Sequence, residues 1–206
     1  MKRARGVAVL ASTAPESGVE TQWRRRERVL DAALAIAATG GYEAVQMRVV
    51  AKRSGIAVGT LYRYFPSKVH LLVSVLAREI ESVEASADLD DAAGTAAARL
   101  HYVIDRLNLS MQRNPQLAEA MTRAFVFADA SAADEVDRVS RMTDRMFARA
   151  ISGGDPAEQH YHTARVISDV WLSNLLAWLT RRASAADVSK RLDLAVRLLV
   201  GESICR

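Results

Sequence analysis

Thr60, Tyr62, Arg63, Tyr64 and Lys68 stand within nine residues, in the string "GTLYRYFPSK" (59–68). Hydroxyls and cations at that density donate hydrogen bonds and offset negative charge. They contribute little to a packed core. The chemistry they suit is the binding of a polyanion such as a phosphate backbone. Other chemistries find no comparable support. His160 and His162 in "HYH" are two residues apart, which on a helix points them about 200° away from each other, so they cannot share an ion there. There is no G-x-S-x-G string, no P-loop and no paired acidic constellation. Cys205 is the only cysteine, so no Cys/His set is available for zinc. The chain is expected to be no enzyme, with no catalytic residues, no cofactor and no metal.

Charge is unevenly spread along the 206 residues. Residues 1–75 hold 12 Lys/Arg against 5 Asp/Glu, whereas residues 76–206 hold 16 against 19. A basic front on a weakly acidic body points to a polyanion partner for the front alone. No apolar run reaches the ~18 residues of a membrane-spanning helix. A lone cysteine suits a reducing, cytoplasmic setting. The opening "MKRARGVAVLA" has a basic lead, but its apolar patch is shorter than the ~7–15 residues of a signal-peptide core. Residues 1–20 are expected to form a disordered arm, or to precede the true start.

These residues need elements to hold them, and the periodicity is helical throughout. Val29, Leu30, Ala33, Leu34 and Ala37 fall on one face of a first helix over 22–39, with Thr21 as N-cap and Gly40-Gly41 as the stop. Further helices are expected over 47–54, 58–65, 67–86, 92–113, 116–127, 133–151, 156–180 and 185–201. The breaks between them are Gly55, Pro66, a small polar stretch at 87–95, Asn114-Pro115 and "SGGDP" at 152–156. Asp155 reads as an N-cap and Pro156 as the first helical residue. No stretch alternates as a strand does. The expected fold is all-α with nine helices.

The second and third helices, joined by "GIA", have the layout of a helix-turn-helix. Gly55 allows the left-handed backbone that such a turn needs. Ile56, Leu61 and Phe65 can fill the small core beneath it. That leaves Val58, Gly59, Thr60, Tyr62, Arg63 and Tyr64 on the outer surface, where hydroxyls meet phosphates and small or cationic side chains meet base edges. Val58 suits a thymine methyl group.

The stretch "GGYEAVQMRVVAKRSGIAVGTLYRYFPSKVHLL" (40–72) resembles the DNA-binding domain of the TetR (tetracycline-repressor) family of bacterial regulators. Its G-T-L-Y-x-x-F-x-S-K string matches that family's most recognisable signature, and the match covers about residues 22–72. The resemblance implies a nine-helix architecture with a DNA-binding domain at 21–68 and a ligand-binding and dimerisation domain at 69–206. It implies phosphate contacts from Thr60, Tyr64 and Lys68. It also implies Arg48 facing the DNA, and Val58, Gly59, Tyr62 and Arg63 at or beside the bases. Ala57 and Val58 stand where many members carry Ser and Lys, Val49 where Asp is frequent, and Val69-His70 where acids are common. His70 reads as a helix-face residue. Within the family the chain is similar to the actinobacterial repressors of sterol catabolism. That likeness implies an inducer resembling a sterol-derived acyl-CoA thioester.

The eighth helix carries Val166, Ile167, Val170, Trp171, Asn174, Leu175 and Trp178, too wide a stripe for one face, so it is expected to divide between core and interface. The ninth carries Val188, Leu192, Ala195, Val196 and Leu199. The family likeness implies a homodimer through these two helices, matched to a palindromic operator. Leu175 and Leu192 are the positions at which a charge is expected to give monomers. A small-molecule pocket among helices 5–8 is expected to be lined by Leu107, Met111, Met121, Phe125, Met142, Met146, Trp171, Asn174 and Trp178. Methionines and aromatics at this spacing equally describe plain core. Arg123 and Asn174 are polar outliers able to orient a ligand, and Arg123, Arg141 and Arg145 are candidates for a cationic mouth. The alternative is a ligand-independent architectural DNA-binding protein, which would share the basic front without needing so large a body.

Overall fold

Nine α-helices, one 3₁₀ turn and no strand make up residues 18–87 and 94–201, the part of the chain that the computed structural model describes. Most of the expected arm at 1–20, most of the expected break at 87–95 and Cys205 lie outside the described residues. The helices are α1 (Gly18–Ala44), α2 (Met47–Ser54), α3 (Val58–Tyr64), α4 (Lys68–Ser86), α5 (Ala96–Arg113), α6 (Pro115–Val126), α7 (Ala133–Ser152), α8 (Glu158–Leu179) and α9 (Ala185–Val200), with the 3₁₀ turn at Ala130–Ala132.

The first three helices enclose a small core of Leu30, Val50, Ile56, Leu61 and Phe65, all buried. Gly55 ends α2 in the left-handed region, at φ 68° and ψ 30°. A side chain would be strained there, so the glycine makes the tight turn into α3 possible. The larger core lies among α4–α8, where Leu71, Leu72, Ile80, Leu100, Ile104, Leu107, Met146, Phe147 and Ile167 are fully enclosed. α1 and α4 both pack on α6, α4 packs on α7, α7 on α8, and α8 on α9.

Side-chain caps fix the helix starts. Ser67 accepts from Val69 N (3.2 Å), Thr95 from Ala98 N (3.2 Å), and Ser184 from Asp187 N (3.1 Å). Asn114 has two functions: its Oδ1 accepts from Leu117 N (2.9 Å) to start α6, and its Nδ2 donates to Ala38 O (3.0 Å), tying that corner to α1. Arg99 binds the end of α7, donating from Nε to Ala150 O (2.9 Å) and from Nη2 to Ile151 O (3.1 Å). These are among the carbonyls that a helix end leaves unpaired.

Several boundaries differ from expectation. α1 starts at Gly18, so Thr21 lies inside it and does not cap it. Gly40 stays helical and the break falls at Gly41 (φ 65°, ψ −164°). Phe65 is already extended, because the residue before a proline avoids the α region. α5 starts at Ala96 rather than near 92. Asp155 and Pro156 do not start α8. Its N-cap is Ala157, whose backbone N–H donates to His160 Nδ1 (2.9 Å), so the imidazole does the capping.

Candidate nucleic-acid interface and ligand cavity

The turn at Gly55 and the burial of Ile56, Leu61 and Phe65 fix which side of α3 faces out. Val58, Gly59, Tyr62 and Arg63 are exposed on it, as is Arg48 near the start of α2, while Thr60 and Tyr64 are half-buried at its edges. The exposed apolar members here are Val49 (44%), Val58 (39%) and Tyr62 (47%). Arg48, Lys52, Arg53 and Arg63 have no carboxylate partner among the described residues. An unpaired cationic surface that carries hydroxyls and small side chains can meet both phosphates and base edges.

Lys68 behaves differently. It opens α4, and its Nζ donates to Tyr42 O (3.3 Å), lies 3.8 Å from the Tyr42 ring centroid and 3.8 Å from Glu43 Oε2. The side chain is thus held at the end of α1. Arg123 of α6 reaches the same corner: it lies 4.3 Å from the Tyr42 centroid and 3.1 Å from Glu43 Oε1.

Between α4, α6, α7 and α8 lies a cavity of about 480 Å³, a volume ordinary for a small-molecule site. Leu76 and Ile80 of α4, Phe125 of α6, Val139 of α7, and Trp171, Leu172 and Leu175 of α8 supply its apolar wall. Thr122, Ser140, Thr143 and Ser168 add hydroxyls. At its rim stand Arg141, Asp144 and Arg165, which also line a second groove of about 660 Å³ with Arg138, Arg145, Tyr161 and His162. The apolar space therefore adjoins an arginine-rich one, with Arg141, Asp144 and Arg165 standing between the two. Each arginine there has a carboxylate partner: Arg138 meets Glu81, Arg141 meets Asp137 (3.7 Å), Arg145 meets Glu84 (3.1 Å), and Arg165 meets Asp144 (3.4 Å). Asp144 is buried and also accepts from Ser168 Oγ (2.7 Å).

The residues expected to line a pocket separate into groups. Phe125 and Trp171 line the apolar cavity, and Trp171 is oriented by its Nε1 donating to Asn108 Oδ1 (3.0 Å). Met142 lines the arginine groove. Leu107, Met111, Met121 and Met146 are packed into the core and touch none of the cavities described. Periodicity turns these four inward, into the packed core. Asn174 is buried, with Nδ2 donating to Val170 O (2.8 Å) and Oδ1 unpartnered. Arg123 and Trp178 border a third groove, beside Tyr42 at the end of α1. Leu175 and Leu192, which the stripe assigns to an interface, are buried within the protomer. The exposed apolar surface of α8 and α9 belongs to Tyr161, Val166, Leu194, Leu198 (76%) and Leu199.

Two features escape a reading of the sequence. Arg165 at the cavity rim follows no pattern that separates it from a solvated arginine. His70 lies on a face of α4 that is buried, with Nδ1 2.9 Å from Ser67 Oγ and Nε2 2.9 Å from Ser131 O. With Nε2 protonated, it donates to that carbonyl and accepts from the Ser67 hydroxyl. It joins the start of α4 to the turn before α7. Asp129 beside it is held below the usual carboxylate range, chiefly by the Ser131 hydroxyl and backbone N–H.

The family model "Bacterial regulatory proteins, tetR family" matches residues 29–75, and "Tetracyclin repressor-like, C-terminal domain" matches residues 93–199. The HTH-type transcriptional repressor KstR of Mycolicibacterium smegmatis is 68% identical over 196 residues, 95% of each chain. A TetR transcriptional regulator from Rhodococcus sp. RHA1 shares the fold with a TM-score of 0.81 and 30% identity, over 88% of this chain and 98% of that one. The transcriptional regulator FadR from Bacillus subtilis, in complex with stearoyl-CoA, superposes with a TM-score of 0.59 at 20% identity, over 86% of this chain and 99% of the other.

Proposed function

The chain belongs to the TetR family of bacterial regulators as a KstR-like transcriptional repressor, and from that premise we propose that it acts in the cytoplasm as a homodimer on a palindromic operator and is released by a sterol-derived acyl-CoA thioester. The observation that carries the ligand is the adjacency of two spaces. An apolar cavity suits a steroid or acyl body, and the arginine groove beside its rim suits the phosphates of a coenzyme A head. The FadR complex offers a precedent for a thioester of this kind in the same fold.

In this reading, Thr60, Tyr64 and Lys68 hold phosphates, while Val58, Gly59, Tyr62 and Arg63 lie at the bases with Arg48 beside them. The exposed Val166, Leu194, Leu198 and Leu199 meet their counterparts on a second copy, since so much apolar surface suits a partner better than water. Release is mechanical. α4 carries Leu76 and Ile80 at the cavity wall and begins at Lys68, about 12 and 18 Å away from them at 1.5 Å per residue. A ligand that displaces α4 moves the two recognition helices off the ~34–36 Å spacing of successive major grooves. It releases DNA only in so far as it binds the DNA-free form more tightly.

The test is a titration. A duplex selected by the protein from a random pool is labelled, and its anisotropy is followed while steroid acids or their CoA thioesters are added. Thioesters should release the duplex and quench Trp171, and free acids should do so more weakly. A saturating thioester that neither quenches nor releases would sink the inducer while leaving the DNA-binding reading intact.

A further inference from the structure

Arg123 stands beside the cavity in sequence, yet its guanidinium turns away from it. Its neighbours Thr122 and Phe125 line the apolar space, whereas Arg123 reaches Glu43 Oε1 at 3.1 Å. On a helix, Phe125 points about 200° from Arg123, so α6 shows a ligand wall on one side and a cation on the other. That cation reaches the DNA-binding domain.

Glu43 is the last acid before the recognition helix in the chain: no Asp or Glu occurs between it and Glu79. Its side chain is largely exposed, and its two oxygens face different cations, Oε1 toward Arg123 (3.1 Å) and Oε2 toward Lys68 (3.8 Å). Both cations also lie over Tyr42. One carboxylate is thus shared by the lysine expected to meet a phosphate and by an arginine of the ligand-binding body. A phosphate approaching Lys68 meets a carboxylate a few ångströms behind it, and like charges at that range repel unless a counter-ion is present.

We infer that Arg123 is a positioning residue for DNA contact: it neutralises Glu43, so that Lys68 can turn from the carboxylate to a phosphate without leaving a bare negative charge beside the backbone. The inference rests on the DNA-binding reading above. It assigns Arg123 to the DNA side of the molecule. It also makes Glu43 an internal competitor that weakens phosphate binding whenever α6 withdraws its guanidinium.

A plain strut, in which the Arg123–Glu43 pair merely holds α6 to α1, predicts something else: removing either partner weakens DNA binding, and removing both is no better. The two roles separate in a mutant cycle on the full chain. A labelled 30-base-pair duplex of arbitrary sequence is titrated at several KCl concentrations, with thermal unfolding followed alongside to establish that each variant is folded. Arg123→Ala should weaken binding about tenfold, the scale of a lost charge-assisted contact. Glu43→Gln alone should bind at least as tightly as the parent. Arg123→Ala/Glu43→Gln should recover the parent affinity. Glu119→Gln changes net charge equally and lies 4.0 Å from Arg123 without touching Lys68, so it should not rescue. With Lys68→Ala present, Glu43→Gln should no longer change affinity. Equal rescue by Glu119→Gln, or none by Glu43→Gln, overturns the inference and leaves the DNA-binding reading standing. If the unaltered chain binds no duplex at low salt, both fall.

Discussion

The recognition segment and the α7–α8 groove are both rich in arginine, and their arginines are in opposite states. Among the described residues Arg48, Arg53 and Arg63 have no carboxylate beside them, whereas Arg138, Arg141, Arg145 and Arg165 each have one. The exposed pairs Arg138–Glu81 and Arg141–Asp137 are individually worth at most about 1 kcal/mol, whereas Glu84 and Asp144 are mostly buried behind Arg145 and Arg165. A ligand phosphate can therefore exchange into the first two at modest cost, but it gains less than it would from bare guanidinium groups. A surface of bare cations gains its full charge neutralisation only when a polyanion arrives, and it pushes itself apart until then. The same residue type thus serves tight, salt-sensitive binding in one region and exchangeable binding in the other.

That contrast can be tested by disabling one region at a time. Leu61→Ala, in the fully buried centre of the small core, should lower stability by about 2–5 kcal/mol in denaturant unfolding. It should abolish duplex binding while thioester quenching of Trp171 persists. Within the recognition segment, Arg63→Ala should lose roughly 1–3 kcal/mol on the selected operator only. Lys68→Ala should weaken operator and random duplex alike and reduce the salt slope by about one unit per half-site. Equal losses on random DNA from both would remove Arg63 from the bases. In the groove, Arg165→Ala should raise the Kd of a CoA thioester about tenfold, because a paired arginine contributes less than a bare one, and leave the free acid unchanged in calorimetry.

A smaller effect involves neither region. Burial raises the Glu79 carboxyl above its usual range, and Arg78 opposes the shift. A carboxyl raised in the folded state causes no penalty below its unfolded pKa and destabilises the fold as pH rises through the folded one. Glu79→Gln should therefore raise Tm at neutral pH, and the advantage should vanish as pH falls through the carboxylate range. A gap that widens in acid would mean the sign is wrong.

The fold of the small N-terminal core was almost fully legible because its determinants are local. A left-handed glycine at 55, a plug at Ile56 and inward Leu61 and Phe65 leave few ways to fold thirty residues, and the outward side follows from them. The cavity was less legible. Helical spacing reveals that Leu107, Met111, Met121 and Met146 point inward, but it does not reveal whether an inward side chain meets a neighbour or a space. The polar lining, Thr122, Ser140, Thr143 and Ser168, was hidden for the opposite reason, since hydroxyls on a helix resemble solvent-facing positions. Arg123 was placed at the ligand because α6 is apolar around it, while its real partner, Glu43, lies on α1, far away in the chain. Pairings of that kind depend on the crossing of α1 and α6, which no local pattern encodes. His70 belongs with them: Ser131 lies 61 residues away.

The clamp of Arg99 on the end of α7 has a mechanical consequence. It pins the carbonyls of Ala150 and Ile151, and the same guanidinium packs so closely over Gly153 that a Cβ there would lie 2.8 Å from it. The other end of α7 follows the 3₁₀ turn whose Ser131 carbonyl binds His70. α7 is then a lever about 30 Å long with its fulcrum at one tip. Val139 to Asp144, where the cavity touches it, lie near mid-span. The tip beyond the cavity is joined through the Ser131 carbonyl to His70, so the helix that walls the cavity ends on the first turn of α4.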